Sequence, residues 1–243
     1  MTRENTPTAI EIASGIYRLS TYCPEGPPGG ITFNQFVIAD DEPLLFHTGT
    51  RRLFPDVHKA VSAILDPATI RWISSGHASR PDEYGALPEW EAAAPHATTA
   101  HGGVGCFVCL SDISNRPLRP LADGEVLDLG RHRLRWLDTP HVPGPWEAGV
   151  LFDETSGTLF CGDLFARTGP AEPTTTDDVS EAAIANDQLM HGHAYTPATG
   201  PTLRRLADLH PQRLALMHGP TFVGDGAGQL RNLADYFDSC LAS

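Results

Sequence analysis

"RWISSGHASRPDEYG" (71–85) joins an apolar, strand-like run ending at Ile73 to His77, then to a short loop carrying the adjacent acids Asp82 and Glu83 before Gly85. Open α/β sheets place their chemistry just past the carboxyl ends of strands. The loop therefore reads in two ways: as part of a metal site, or as a helix start with an acidic first turn.

The flanking sequence supports the strand. Residues 15–20, 31–39 and 43–47 are short apolar runs, with "DDEP" turning between the last two. Leu53, Val57, Ala60, Val61 and Ile64 recur at helical spacing over 52–65, residues 70–74 then form a strand, and a helix is expected from about Asp82 to Ala94. The second half follows the same plan. Residues 124–139 read as a hairpin turning at Gly130 and 147–163 as a hairpin turning at "DETSG". Helices are expected over 178–190, 198–209 and 227–241, with a strand at 213–217. Strands then helices, twice over, predict two sheets packed face to face with helices outside. No linker or repeat interrupts the chain, so residues 1–243 are read as a single α/β domain. The Thr/Glu/Asp/Pro-rich stretch 168–180 reads as a mobile surface loop.

The 243 residues are long enough for a sizeable core. A formal net charge of −13 argues against nucleic acid and anionic membrane surfaces, which reward Lys and Arg. No apolar run approaches the roughly 20 residues of a membrane helix, and the polar start "MTRENTPTAIEIASG" lacks a signal-peptide core. A cytoplasmic protein is expected. Five irregularly spaced cysteines make no disulfide framework.

Four polar residues directly follow predicted strands: His77, His141, Asp163 and His218. Each alone reads as a turn residue. With Asp82 and Glu83 they make three imidazoles and three carboxylates at strand ends, a natural donor set for one or two metal ions. A carboxylate can bridge two metals roughly 3.5–4 Å apart. An all-histidine set favours zinc, whereas a carboxylate-rich one leans toward iron or manganese.

These segments carry a resemblance. "FNQFVI…LLFHTG", "ISSGH…DEYGAL", "LADGEVLDLG.HRLRWLDTPHVP", "GTLFCGDLF" and "LALMHGP" span about residues 10–226. They resemble the metallo-β-lactamase fold superfamily, most closely the branch of oxygen-binding di-iron proteins and the lactamase-like part of flavodiiron proteins. The resemblance implies a four-layer αββα sandwich with a metal site at one edge of its two sheets. By similarity His77 and His141 bind a first metal, Asp82, Glu83 and His218 a second, and Asp163 bridges them.

The loop departs from that pattern. The hydrolase form is His-x-His-x-Asp-His and the di-iron form His-x-Glu-x-Asp-His. Here the loop from His77 to Gly85 is one residue longer, and the second ligand position offers only Ser79, a weak neutral ligand, or Arg80, a permanent cation. In "HVPGPW" (141–146), Gly144 stands where relatives often carry a histidine. A weakened first site is therefore expected, with one ion bound, or two of unequal affinity.

Three functions follow. The first is a non-heme iron or di-iron redox protein that binds O2 or NO and takes electrons from a separate donor, since the lactamase-like fold uses up the 243 residues. The second is a hydrolase in which zinc or manganese activates a water that Asp82 orients or deprotonates. The third is a degenerate domain that binds a ligand or partner without catalysis. Family habit adds a homodimer. Specificity is expected in the loops 22–30, 141–146 and 166–195.

Other features read as structural. Cys106 and Cys109 have apolar neighbours and no second pair. "HGH" (191–193) reads as a solvated loop, with a lid as the alternative. His47 and His101 are expected near the site edge in supporting roles, Trp146 and Phe165 as packing residues, and "GDGAG" (224–228) as a helix-entry loop.

Overall fold

A computed structural model describes residues 7–144, 146–193 and 195–242. The first sheet runs in chain order: β1 (Thr8–Ala13), β2 (Ile16–Cys23), β3 (Ile31–Ile38), β4 (Leu44–Phe46), β5 (Trp72–Ser74), β6 (Thr98–Gly102) and β7 (Arg119–Leu121). It is antiparallel up to β4 and parallel from β4 onward. The second sheet comprises β8 (Val126–Asp128), β9 (Arg133–Asp138), β10 (Gly149–Asp153), β11 (Thr158–Gly162), β12 (Thr174–Thr175), β13 (Arg213–Leu216) and β14 (Thr221–Val223), in the order β12-β14-β13-β11-β10-β9-β8. Its β11 and β13 lie parallel, with Leu159 beside Leu214.

The first half supplies the helices α1 (Phe54–Ser62), α2 (Pro81–Tyr84) and α3 (Leu87–Ala93). A helical stretch follows β6, built from α4 (Gly103–Gly105), the turns of Cys106–Leu110, and α5 (Ser111–Ile113). The second half supplies α6 (Ser180–Met190), α7 (Thr199–Ala207) and α8 (Gly226–Ala242).

Three buried clusters define four layers. Val57, Val61, Leu87 and Trp90 of α1 and α3 pack on Leu19, Val37, Leu45 and Ile73 of the first sheet. Phe36, Phe46, Leu134, Trp136, Leu151 and Phe160 fill the space between the sheets. Leu203, Leu206, Leu230 and Phe237 of α7 and α8 cover the outer face of the second sheet. Burial of this apolar surface, at about 25 cal/mol per Å², is the main favourable contribution to folding. The expected αββα sandwich is the architecture found. Among the described residues no helix is long and apolar enough to cross a membrane.

The local differences have physical reasons. The helix expected over 82–94 is two helices, because Pro88 cannot donate to the carbonyl of Tyr84 and instead sits in the first turn of α3. Thr174 and Thr175, within the expected surface loop, pair with Thr221 and Phe222 as an edge strand. Beneath the site, Asn34 of β3 joins the sheets: its backbone N–H donates to the Met217 carbonyl at 2.9 Å, and its side-chain amide to the carbonyls of Leu216 and Gly219 at 2.7 and 2.8 Å.

Candidate metal centre

Asp163 follows β11 and His218 lies just past β13, so two parallel neighbours present both side chains at one sheet end. Asp82 arrives from the other sheet, on the first turn of α2 after the loop that leaves β5. His218 Nε2 lies 3.3 Å from Asp82 Oδ2 and 3.2 Å from Asp163 Oδ1, and one donor atom from each of the three residues falls within 4.8 Å of the others. The His218 ring is aimed by its other nitrogen. Nδ1 is 2.8 Å from the Thr32 carbonyl, to which its N–H donates, leaving Nε2 toward the acids. Phe33 packs edge-on against the same ring.

Arg80 completes the group. Its Nη1 donates to Asp163 Oδ2 at 2.8 Å. Burial alone would raise the Asp163 pKa, but the His218 hydrogen bond and the charges of His218 and Arg80 hold this carboxyl well below the usual range. Burial lowers the His218 pKa, but hydrogen bonds to Asp163 and Asp82 lift it to about 10 without an ion. A cation that displaced the Nε2 proton would satisfy both carboxylates directly.

The other three expected ligands are not in this group. Glu83 turns back into its own loop, where Oε2 accepts from Ser75 Oγ and from the N–H groups of Gly76 and His77, both at 2.8 Å. Burial, reinforced by the nearby Asp163 charge, lifts Glu83 to about 8. His47, also buried, places Nε2 3.5 Å from the same carboxyl oxygen. Glu83 therefore clamps the loop. His77 has Nδ1 3.0 Å from both Glu147 Oε1 and Ser79 Oγ. His141 adopts a left-handed backbone (φ 65°), and its Nδ1 accepts from the Trp146 N–H at 2.9 Å. In this segment it is Gly144 that faces the loop: a Cβ there would meet His77 Nε2 at 2.8 Å and Arg80 Nη2 at 3.4 Å. The corner where a first metal was expected thus presents His77, a glycine and a guanidinium.

Sequence reasoning missed Glu147. This buried acid precedes β10, with Oε1 3.0 Å from His77 Nδ1 and Oε2 3.1 Å from His101 Nε2. It also accepts from the N–H groups of Ala78 and Ser79. Burial opposes its charge, but the His101 and His77 hydrogen bonds outweigh that and hold it at about 2. The signal available was its place at the head of the second predicted hairpin, at the start of a strand, whereas the four residues singled out follow strands.

The donors fit one cation: two carboxylates and one oriented imidazole converge, and the buried Asp163 Oδ1 faces His218 Nε2 at 3.2 Å, a pair that one ion can bridge. They do not fit two, because Arg80 already places a positive charge on the remaining oxygen of Asp163. Beside the group opens a cavity of about 230 Å³, whose walls include Arg80, Arg167, Met190 and His193.

Known proteins with this architecture carry a similar chain as one part of a longer one. "Putative diflavin flavoprotein A 1" of Nostoc is 26% identical over 220 residues, covering 85% of this chain and 37% of that protein. "Rubredoxin-oxygen oxidoreductase" of Megalodesulfovibrio gigas is 23% identical, covering 81% and 50%. The chain thus spans half or less of the length of these curated relatives. The crystal structure of a fragment (1–254) of putative diflavin flavoprotein A 5 from Nostoc superposes with a TM-score of 0.84 at 19% identity, over 99% of this chain and all of that fragment. The family pattern of the ODP family beta lactamases matches residues 31–219, from the strand that orients His218 to the glycine just after it, and the chain belongs to that family.

Proposed function

We propose that this chain is a cytoplasmic, iron-binding redox protein that holds one ion through Asp82, Asp163 and His218, accepts O2 or NO at it, and is supplied with electrons by a separate donor. Three observations support the reading. Two carboxylates with one imidazole suit iron or manganese better than zinc. The family relatives include one named for oxygen reduction. The observation that carries the single ion is the 2.8 Å contact of Arg80 Nη1 with Asp163 Oδ2, which gives the bridging carboxylate an internal cation.

Iron, when bound, supplies an exchangeable position for a diatomic molecule and a one-electron couple. The chain supplies the rest. Thr32 fixes the imidazole, Arg80 holds one Asp163 oxygen, and Glu83 keeps the loop from β5 to α2 in place through three hydrogen bonds.

The test is anaerobic loading with Fe(II), followed by titration with NO under electron paramagnetic resonance. One half-integer-spin signal per chain, saturating at one NO, is expected. An iron-loaded chain whose spectrum NO leaves unchanged would overturn the reading.

A further inference from the structure

The cavity over Asp82, Asp163 and His218 is larger than a diatomic molecule needs. Its volume of about 230 Å³ is many times the roughly 10–15 Å³ that admits a single water. The lining includes Arg167, whose backbone N–H donates to the His218 carbonyl at 2.9 Å and so fixes the Arg167 backbone beside the metal group. Arg167 forms no ion pair among the described residues. Nη2 makes a 3.3 Å bond to the Pro170 carbonyl, and Nε is buried without a partner. A buried guanidinium N–H left unpaired costs on the order of 1–3 kcal/mol, which a turn of the Arg167 side chain toward an acceptor in the cavity would recover. The lining also includes the apolar Pro27, Ile31, Pro143 and Met190.

Charge points the same way. A divalent ion together with Arg80 and Arg167 outweighs the carboxylates Asp82, Asp163 and Asp187 that line this cavity. Asp187 does not compete for Arg167: it accepts from His193 Nδ1 at 2.7 Å, from the Tyr195 hydroxyl, and from the Tyr236 hydroxyl at 3.0 Å. The loaded cavity therefore carries net positive charge alongside an apolar share of its lining. A carboxylate offers two oxygens to a guanidinium fork, and its organic tail, which phosphate lacks, suits the apolar part of the lining.

We infer that the cavity is a binding site for a small monocarboxylate, held by Arg167 at the metal edge with its apolar end against Ile31, Pro143 and Met190. This goes beyond the diatomic-gas reading and rests on it only in requiring the bound ion.

Calorimetric titration of the metal-loaded chain with butyrate tests it, with butyramide and inorganic phosphate as parallel arms and metal content measured on every sample. Butyrate is expected to bind once per chain, butyramide not at all, and phosphate more weakly. Arg167→Gln should weaken butyrate at least about tenfold, and Arg167→Lys should recover part of the loss. Equal binding of butyrate and butyramide, phosphate as tight as butyrate, or an Arg167→Gln variant with unchanged affinity would overturn the carboxylate site. A loaded chain that holds its ion and ignores butyrate overturns this site alone. A chain that takes up no ion overturns the metal reading beneath it.

Discussion

Arg80 changes what Asp163 requires of its surroundings. The guanidinium neutralises one carboxylate oxygen and repels a second cation. Removing it by Arg80→Gln should strengthen metal binding about tenfold, or about 1.4 kcal/mol, measured by chelator competition. Because Arg80 is a third exposed, fold stability should change by no more than about 1 kcal/mol. Weaker metal binding in the variant would show that the guanidinium supports the ion. Glu147 is the other residue whose environment makes a prediction. Its carboxyl ionises more readily in the fold than its ordinary 4.5, so its contribution is complete above about 4.5 and is lost as pH falls toward about 2. His77, raised above 6.5, contributes fully below 6.5, and that share fades as pH rises through its folded value. The pair is thus strongest between those limits. Glu147→Gln should cost about 3–5 kcal/mol in urea unfolding near pH 6 and flatten the acid limb of stability against pH. An unchanged acid limb would place the acid sensitivity elsewhere. In sequence, Arg80 was legible as a misfit at a ligand position. Its partnership with Asp163 was not, because that contact spans two sheets.

At the scale of elements, the loop from β5 to α2 and the 141–146 segment together form the altered corner. Since Cβ of residue 144 would point at His77 and Arg80, the double variant Arg80→Glu, Gly144→His should supply two ligands and raise metal content from one ion per chain to two. Content that stays at one would mean the backbone, and not these side chains, closes the corner. Gly149 makes a separate prediction in β10: a Cβ there would sit 2.1 Å from Trp136 Cζ2, so Gly149→Ala should destabilise by roughly 1–3 kcal/mol in thermal unfolding. The elements that announced themselves carry local punctuation. Gly130 (φ 116°) ends β8 and "DETSG" turns β10 into β11, as expected from the turn residues alone. β6, "TTAHG", escaped notice because its place in a parallel sheet, between β5 and β7, is set by neighbours and not by apolar content. β1 escaped because it is an edge strand, half exposed and with little apolar signal.

Across the whole molecule, the site exists because two sheets end together. β11 and β13 deliver Asp163 and His218 from one sheet, the loop after β5 delivers Asp82 from the other, and Asn34 ties the sheets beneath them. Separations such as that from Asp82 to His218 along the chain cannot be closed by local pattern. The resemblance supplied that convergence, and the geometry then sorted its six proposed ligands into three that meet and three that serve the loop or lie apart. The most direct measurement is the metal content of chain loaded anaerobically with excess Fe(II) and then desalted. One iron per chain, abolished by Asp163→Asn and by His218→Ala, is predicted. Two tightly held irons per chain, or one that survives both substitutions, would contradict a single cation gripped by Asp82, Asp163 and His218.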